Sequence, residues 1–145
     1  MLLFSLALVI LKIENQIIEE FDNFEDWMDK YEYIIELGKS VPVIEESQKT
    51  ESNLIKGCQS RVWLSSEFRD GKIFFSADSD AIITKGIISL LVRVFNGRRP
   101  DEILSSDFSF VEKIGLRDNL SPTRANGLVS MIKQIQNYAV AYSAK

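Results

Sequence analysis

The sequence holds one cysteine, Cys58, and no histidine, so its reactive inventory is a single thiol plus carboxylates, amines and hydroxyls. That count excludes Ser-His-Asp and Cys-His catalysis within the chain, and histidine metal ligation with them. One thiol also excludes an internal disulfide, and a zinc or iron-sulfur centre held by cysteines of one chain, because such centres take about four ligands. Cys58 lies in the stretch Gly57-Cys58-Gln59-Ser60, between two strand-like segments. A lone cysteine is usually a buried small hydrophobe. Three features argue for a reactive role: the preceding glycine permits an unusual backbone angle, Gln59, Ser60 and Arg61 are polar, and a turn at a strand end is normally accessible. Arg61 or nearby backbone amides are expected to favour the thiolate, the form that attacks sulfur.

Other site chemistries fail on the same residues. A cysteine phosphatase loop needs an arginine six positions after its cysteine, where this chain has Leu64, and neither a P-loop nor a GxGxxG is present. Glu45-Glu46 and Asp78/Asp80 lack calcium-loop spacing and are expected to be solvated loop charge and helix caps. Three further residues break local rules. Gly86 and Gly127 fall inside expected helices, where each costs about 1 kcal/mol relative to alanine; close helix-to-helix or helix-to-sheet approach is the expected reason. Arg124 falls in the first turn of the last expected helix, where the macrodipole disfavours a cation by about 0.3–1 kcal/mol. A surface pair with Asp118 and a functional role both remain open for it.

The elements that must position these groups follow from periodicity. Apolar Ile13, Ile17, Ile18 and Phe21 predict a short helix over 12–21. Phe24, Trp27, Met28, Tyr31, Ile34 and Ile35 predict a second, begun by a capping-box-like Asp22/Glu25 and ended by Gly38. Residues 41–53 read as a loop. Leu54-Ile55-Lys56, then 60–68, then 72–77 read as strands, the last two joined through Asp70-Gly71, a pair favoured in tight hairpins. Asp78-Ser79-Asp80 reads as the entry to a long helix carrying Ala81, Ile82, Ile83, Ile87, Leu90, Leu91, Val94 and Phe95, with Gly97 past its end. Short helical turns are expected after Pro100 and over 108–114. Ser121-Pro122 then starts a last helix to about Tyr142, its buried stripe Leu128, Ile132, Ile135 and Tyr138-Ala139. The expected fold class is α+β, a small antiparallel sheet of about three strands with helices on both sides.

With 145 residues, 46% hydrophobic and 26% charged, the chain suits one globular domain. A net charge of −4 with scattered basic residues argues against nucleic acid or an anionic membrane as partner. One free thiol and no disulfide fit a reducing compartment, so a cytoplasmic location is expected. The stretch 1–11, MLLFSLALVIL, is nearly all apolar. It lacks a basic segment ahead of it and a small-x-small cleavage site after it, and is too short to span a bilayer. It is expected to be an apolar extension (1–12) packed on a single domain (13–145), or sequence translated from an upstream start.

Four blocks, YEYIIELGKSVP (31–42), IKGCQSRVWL (55–64), DSDAIITKG (78–86) and LSPTRANGL (120–128), occur in order and at workable spacing. Together they make the chain resemble the SufE-like sulfur-acceptor proteins, partners of cysteine desulfurases in iron-sulfur cluster biogenesis. The resemblance covers about 31–135 and leaves 1–12 outside. It implies the fold of the iron-sulfur scaffold proteins and places the acceptor cysteine on Cys58. A desulfurase would hold persulfide sulfur on its own thiol, and Cys58 would take it and deliver it to an iron-sulfur scaffold complex. Pyridoxal phosphate would stay on that partner, with no cofactor or metal on this chain. The chain would then be a sulfur carrier and desulfurase activator, not an enzyme. The resemblance also places Asp80 and Arg124 around the acceptor loop and the desulfurase contact, with Gly57, Gln59, Ser60 and Arg61 as supporting residues. Partial burial of Cys58, relieved on docking, is expected, since a persulfide is labile. The rival readings are a thiol enzyme, such as a peroxidase or thiol transferase, and a binding module in which Cys58 is structural.

Overall fold

Asp70 and Gly71 take left-handed φ angles of 53° and 77°, the pattern of a type I′ two-residue hairpin turn. In a computed structural model, which describes residues 2–144 and their side chains from residue 8 onward, this turn joins β1 (Val62–Arg69) to β2 (Lys72–Ser79). The strands pair antiparallel from Val62↔Ser79 to Arg69↔Lys72. Side chains alternate along a strand, so one face buries Val62, Leu64, Ile73, Phe75 and Ala77. The other carries half-buried Trp63, Ser65, Phe74 and Ser76, with the Lys49 ammonium 5.3 Å from the Trp63 ring centre and the Arg69 guanidinium 4.2 Å from that of Phe74.

The α+β arrangement of a small antiparallel sheet packed with helices is what the structure shows, with two differences in detail. Among the described residues the sheet has two strands, because the segment expected as a third makes only an isolated bridge, Leu54 with Trp63, before the chain turns at Gly57. The helical aromatics meet the buried face: the Tyr138 hydroxyl donates to the Leu64 carbonyl at 3.0 Å, and Tyr142 stacks on Phe68 at 4.9 Å. Lys49 and Arg69 side chains lie over the opposite face where a second helical layer was expected. The 41–53 segment is also more ordered in its bonding than a plain loop, with 3-10 turns at Glu46–Gln48 and Glu51–Asn53 and a parallel bridge from Val43 to Ala77.

α1 (Leu2–Asp22) runs unbroken through residues 12 and 13. Ile10, Ile17 and Phe21 bury its stripe, while Leu8, Val9 and Leu11 are exposed; the rest of the expected apolar extension lies outside the residues with described side chains. No described helix is long and apolar enough to cross a membrane. A paired contact of Arg93 with Glu20, at 2.8 and 2.7 Å, ties α1 to the central helix. Glu14 is buried in the same stripe; burial, reinforced by Asp107 and opposed by Lys113, pushes its carboxyl up to about 7.

α2 (Trp27–Gly38) is capped by Asp26, which accepts the Asp29 N–H at 2.9 Å, in place of the expected Asp22/Glu25. Met28 points outward at 72% exposure instead of joining the stripe. α3 (Ile82–Phe95) is buried nearly all round, as a central helix must be, although Ile82 at its start is 67% exposed. α2 and α3 touch backbone to backbone: a Cβ on Gly86 would lie 2.1 Å from the Ile34 carbonyl oxygen, and one on Gly38 would lie 3.1 Å from the Gly86 nitrogen. Gly38 ends α2 as expected and is needed for this contact, and Lys39 after it stays right-handed. α4 (Pro100–Ser105) and α5 (Phe110–Lys113) follow. α6 (Pro122–Ser143) starts as expected, with Ser121 Oγ accepting the Arg124 N–H at 3.3 Å and Pro122 in the first turn.

Candidate functional site

The Cys58 loop is closed at its base by the Leu54–Trp63 bridge and by the Ile55 N–H donating to the Val62 carbonyl at 2.8 Å. On the incoming side Gly57 has φ +95° and faces α6 so closely that a Cβ would lie 2.5 Å from Ser130 Oγ. Only glycine meets both demands. On the outgoing side Asp80 Oδ1 accepts the Arg61 N–H at 3.1 Å, while the Asp80 N–H and Ser79 Oγ donate to the Arg61 carbonyl at 3.2 and 2.7 Å.

Those bonds correct the expected role of Asp78-Ser79-Asp80. The N-cap of α3 is Ala81, with no side-chain cap, because Asp78 and Ser79 are still paired in β2 and Asp80 is turned to the cysteine loop. Asp78 instead bridges Lys49 at 2.8 Å and Lys85 at 3.3 Å. Burial would raise its carboxyl, but the two lysines and the Ser79 N–H hold it below the ordinary range. Glu46 pairs with Lys49 at 3.2 Å. Among the described residues no group of three or more Cys, Asp or Glu side chains is arranged to hold a metal.

Cys58 is half-buried. Its thiol donates to the Gly127 carbonyl, with sulfur to oxygen 3.7 Å, and a Cβ on Gly127 would lie 3.3 Å from that sulfur. Gly127 therefore gives room to the thiol, whereas the expectation was packing between elements. A cavity of about 40 Å³ adjoins the sulfur, lined among others by Gln59, Ser60, Thr84, Arg124 and Met131. Thr84 is in the first turn of α3, and Arg124 and Gly127 are in the first two turns of α6. Two helix N-termini, the ends with free N–H groups and partial positive charge, thus converge here.

Burial pushes the Cys58 thiol up, and a thiol that donates a hydrogen bond is further favoured as the neutral form. Activation by Arg61 is not what the structure shows: its side chain is exposed and only its backbone joins the site. Arg124 lines the cavity and is exposed, and it has no ion pair with Asp118 among the described residues. Of the expected site residues, Cys58, Gln59, Ser60 and Arg124 meet at the cavity, Gly57 and Asp80 shape the loop, and the Arg61 side chain stands apart. Thr84, Met131 and Ser130 were missed. Thr84 lies inside the DSDAIITKG block, so proximity to Asp80 was the available signal; Ser130 and Met131 lay one helical turn past Gly127 in a helix read only for its core.

Comparison with known proteins identifies the family. The chain matches the SufE family, described as an Fe-S metabolism associated domain, over residues 15–139. An uncharacterized SufE-like protein of Rhizobium etli is 40% identical over 135 residues, covering 90% of this chain and 91% of its own. One of Rhizobium meliloti is 40% identical, covering 86% and 93%, and one of Synechocystis is 35% identical, covering 88% and 80%. In three dimensions the chain is similar to a hypothetical protein from Thermus thermophilus solved in solution, with TM-score 0.76 at 19% identity, over 92% of this chain and 97% of that one; this likeness bears on the fold alone. On the family match and the identities together, the chain belongs to the SufE family and carries its Fe-S metabolism associated domain.

Proposed function

We propose that this protein is a sulfur carrier: Cys58 takes sulfur from the persulfide of a cysteine desulfurase and passes it on for iron-sulfur cluster assembly. The observation that carries the reading is the placement of the chain's one thiol on a pinned loop, half-buried over a cavity of about 40 Å³ at two helix N-termini. That volume suits about one added atom or water, and the partial positive charge of the helix ends suits an anionic persulfide.

In the transfer, the Cys58 thiol loses its proton to the partner's site or solvent, and its thiolate attacks the outer sulfur of the partner persulfide. A new sulfur–sulfur bond forms on Cys58, the bond between the partner's two sulfurs breaks, and the partner thiolate leaves. No net oxidation occurs, so no cofactor is needed on this chain; pyridoxal phosphate belongs to the desulfurase. Because the resting thiol is neutral and sheltered, docking must expose and deprotonate it. Arg124, exposed and without an ion pair among the described residues, is available to a carboxylate on the desulfurase, and Gln59 and Ser60 can orient the persulfide. The chain acts as carrier and activator in a cytoplasmic, reducing setting. A thiol raised by burial counts against an unassisted peroxidase or thiol transferase.

The test is intact mass after incubation with an active desulfurase and cysteine. One added sulfur, removed by dithiothreitol and absent in Cys58→Ser, is expected. No added sulfur while the desulfurase turns over overturns the carrier role. For Arg124, the expected result is a salt-sensitive loss of desulfurase affinity in Arg124→Ala; wild-type affinity at low and high salt removes it from the interface.

A further inference from the structure

Of the polar side chains that line the cavity beside Cys58, Gln59, Thr123 and Arg124 are exposed and Ser60 is half-buried, so they form its rim. Thr84 differs. It is 6% exposed, in the first turn of α3, and shares the buried inner wall with Ile87, Gly127 and Met131. A helical threonine commonly bonds its hydroxyl back to a carbonyl three or four residues earlier, but Thr84 Oγ1 has no hydrogen-bond partner among the described residues. Nor is that oxygen sealed in. The buried, unpartnered side-chain oxygens among the described residues are those of Glu14 and Glu102, so Thr84 Oγ1 opens on space that a water can reach, and the space its side chain lines is the cavity over the thiol. A valine of nearly the same shape would serve the packing as well, and a polar group kept in such a wall needs a partner. α3 also starts without a side-chain cap. Its first helical hydrogen bond is donated by Lys85 to Ala81 at 2.9 Å, so the N–H groups of the turn before Lys85 have no helical acceptor and favour negative charge nearby.

We propose that Thr84 is a positioning residue for the sulfur that Cys58 carries: its hydroxyl donates a hydrogen bond to the terminal sulfur of the Cys58 persulfide and holds that sulfur at the inner wall of the cavity, against α3. This role presupposes Cys58 as the carrier and names the group that retains its cargo. In the resting chain the thiol is a donor, to the Gly127 carbonyl at 3.7 Å. Once sulfur is added, that proton is gone and the anionic outer sulfur is an acceptor. Carbonyl, thioether and aliphatic groups cannot serve it; on the inner wall the Thr84 hydroxyl can. Rim residues reach solvent and a docked partner, whereas a buried donor keeps the sulfur away from thiols in solution between transfers.

The experiment loads Cys58 of the full chain with sulfur from inorganic polysulfide and, separately, from a desulfurase with cysteine. Intact mass then follows the added sulfur during exposure to dilute dithiothreitol, in wild type, Thr84→Val and Thr84→Ser. With polysulfide, the Cys58 thiolate takes one sulfur as a sulfur–sulfur bond of the donor breaks and a shorter polysulfide leaves. Wild type and Thr84→Ser are expected to hold the sulfur alike, while Thr84→Val loses it about tenfold faster, as loss of one charge-assisted hydrogen bond predicts. Thr84→Val should keep a Tm equal to wild type or above it, and its unloaded thiol should be alkylated at the wild-type rate, which separates a lost hydrogen bond from a loosened fold. Equal sulfur lifetimes in wild type and Thr84→Val overturn the proposal, and so does a Thr84→Ser that behaves as Thr84→Val does. A Tm several degrees lower in Thr84→Val also overturns it, because the hydroxyl would then be bonded in the resting fold. The two donors keep this role apart from the carrier reading. Sulfur held from polysulfide in a Thr84-dependent way but never taken from an active desulfurase strikes the carrier reading alone; desulfurase loading with lifetimes indifferent to Thr84 strikes the Thr84 role alone.

Discussion

Gly86 and Gly127 break the same helix rule for different reasons. At Gly86 the missing side chain lets α3 lie on the backbone of α2, with the absent Cβ 2.1 Å from a carbonyl oxygen. At Gly127 the absent Cβ faces Cys58 Sγ at 3.3 Å, the movable end of a side chain on a loop. The first region is rigid by construction: its close contacts are main chain to main chain and cannot yield. The second is held at the loop ends, by Gly57 and by Asp80, while the sulfur between them rests on one long hydrogen bond. One molecule thus uses the smallest residue in one place to fix a core and in another to leave space for a thiol.

Substitution should separate the two. Gly86→Ala is expected to cost the most, about 3 kcal/mol or more, since backbone must move to admit the methyl group; a urea midpoint within experimental error of wild type would end the claim of rigidity. Gly57→Ala comes next, with about 1–3 kcal/mol from the left-handed φ and the Ser130 contact, together with reduced sulfur loading of Cys58. Asp80→Ala should cost about 1 kcal/mol through the lost Arg61 bond and speed Cys58 alkylation as the loop loosens, and an unchanged alkylation rate would show that the anchor does not restrain it. Gly127→Ala should shift stability by no more than about 1 kcal/mol, because improved helix propensity offsets the tight contact, yet should lower sulfur loading several-fold. If Gly127→Ala instead unfolds the protein as Gly86→Ala does, the distinction between the two regions fails.

The smallest effect is that of pH on the resting thiol. Burial raises the Cys58 pKa in the folded chain, so the neutral thiol's contribution to stability is whole below the unfolded thiol value and is lost as pH rises through the raised folded value. Alkylation of the free protein should accelerate about tenfold per pH unit up to about pH 9, the ordinary thiol range, and keep rising beyond it. Levelling off below about pH 8 would mean that the site already activates its thiol without a partner.

Legibility differed between these regions. The hairpin was readable because Asp70-Gly71 selects a turn by local backbone chemistry, and Ser121-Pro122 was readable for the same kind of reason. Asp78-Ser79-Asp80 was misread as a cap because its residue types suit both a helix start and a strand end, and the choice rests on pairing with Trp63 and Val62 across the hairpin. Met28 and Ile82 fit their helical stripes, but which edge of a stripe is covered depends on the neighbouring element. Nothing local to Glu14 in the sequence signals its burial, which depends on the elements packed around α1.

The sequence by itself determined the chemical inventory: one thiol, no histidine, and four blocks of residues whose order marks the SufE family. It also determined the elements whose signals are local, namely turns, caps and apolar periods. Tertiary structure decided what the thiol experiences. The Gly127 carbonyl lies 69 residues from Cys58 and Asp80 reaches back 19 residues to Arg61, and burial is a property of what packs around a group. Residue types carry reactivity; its restraint comes from distant chain brought into contact.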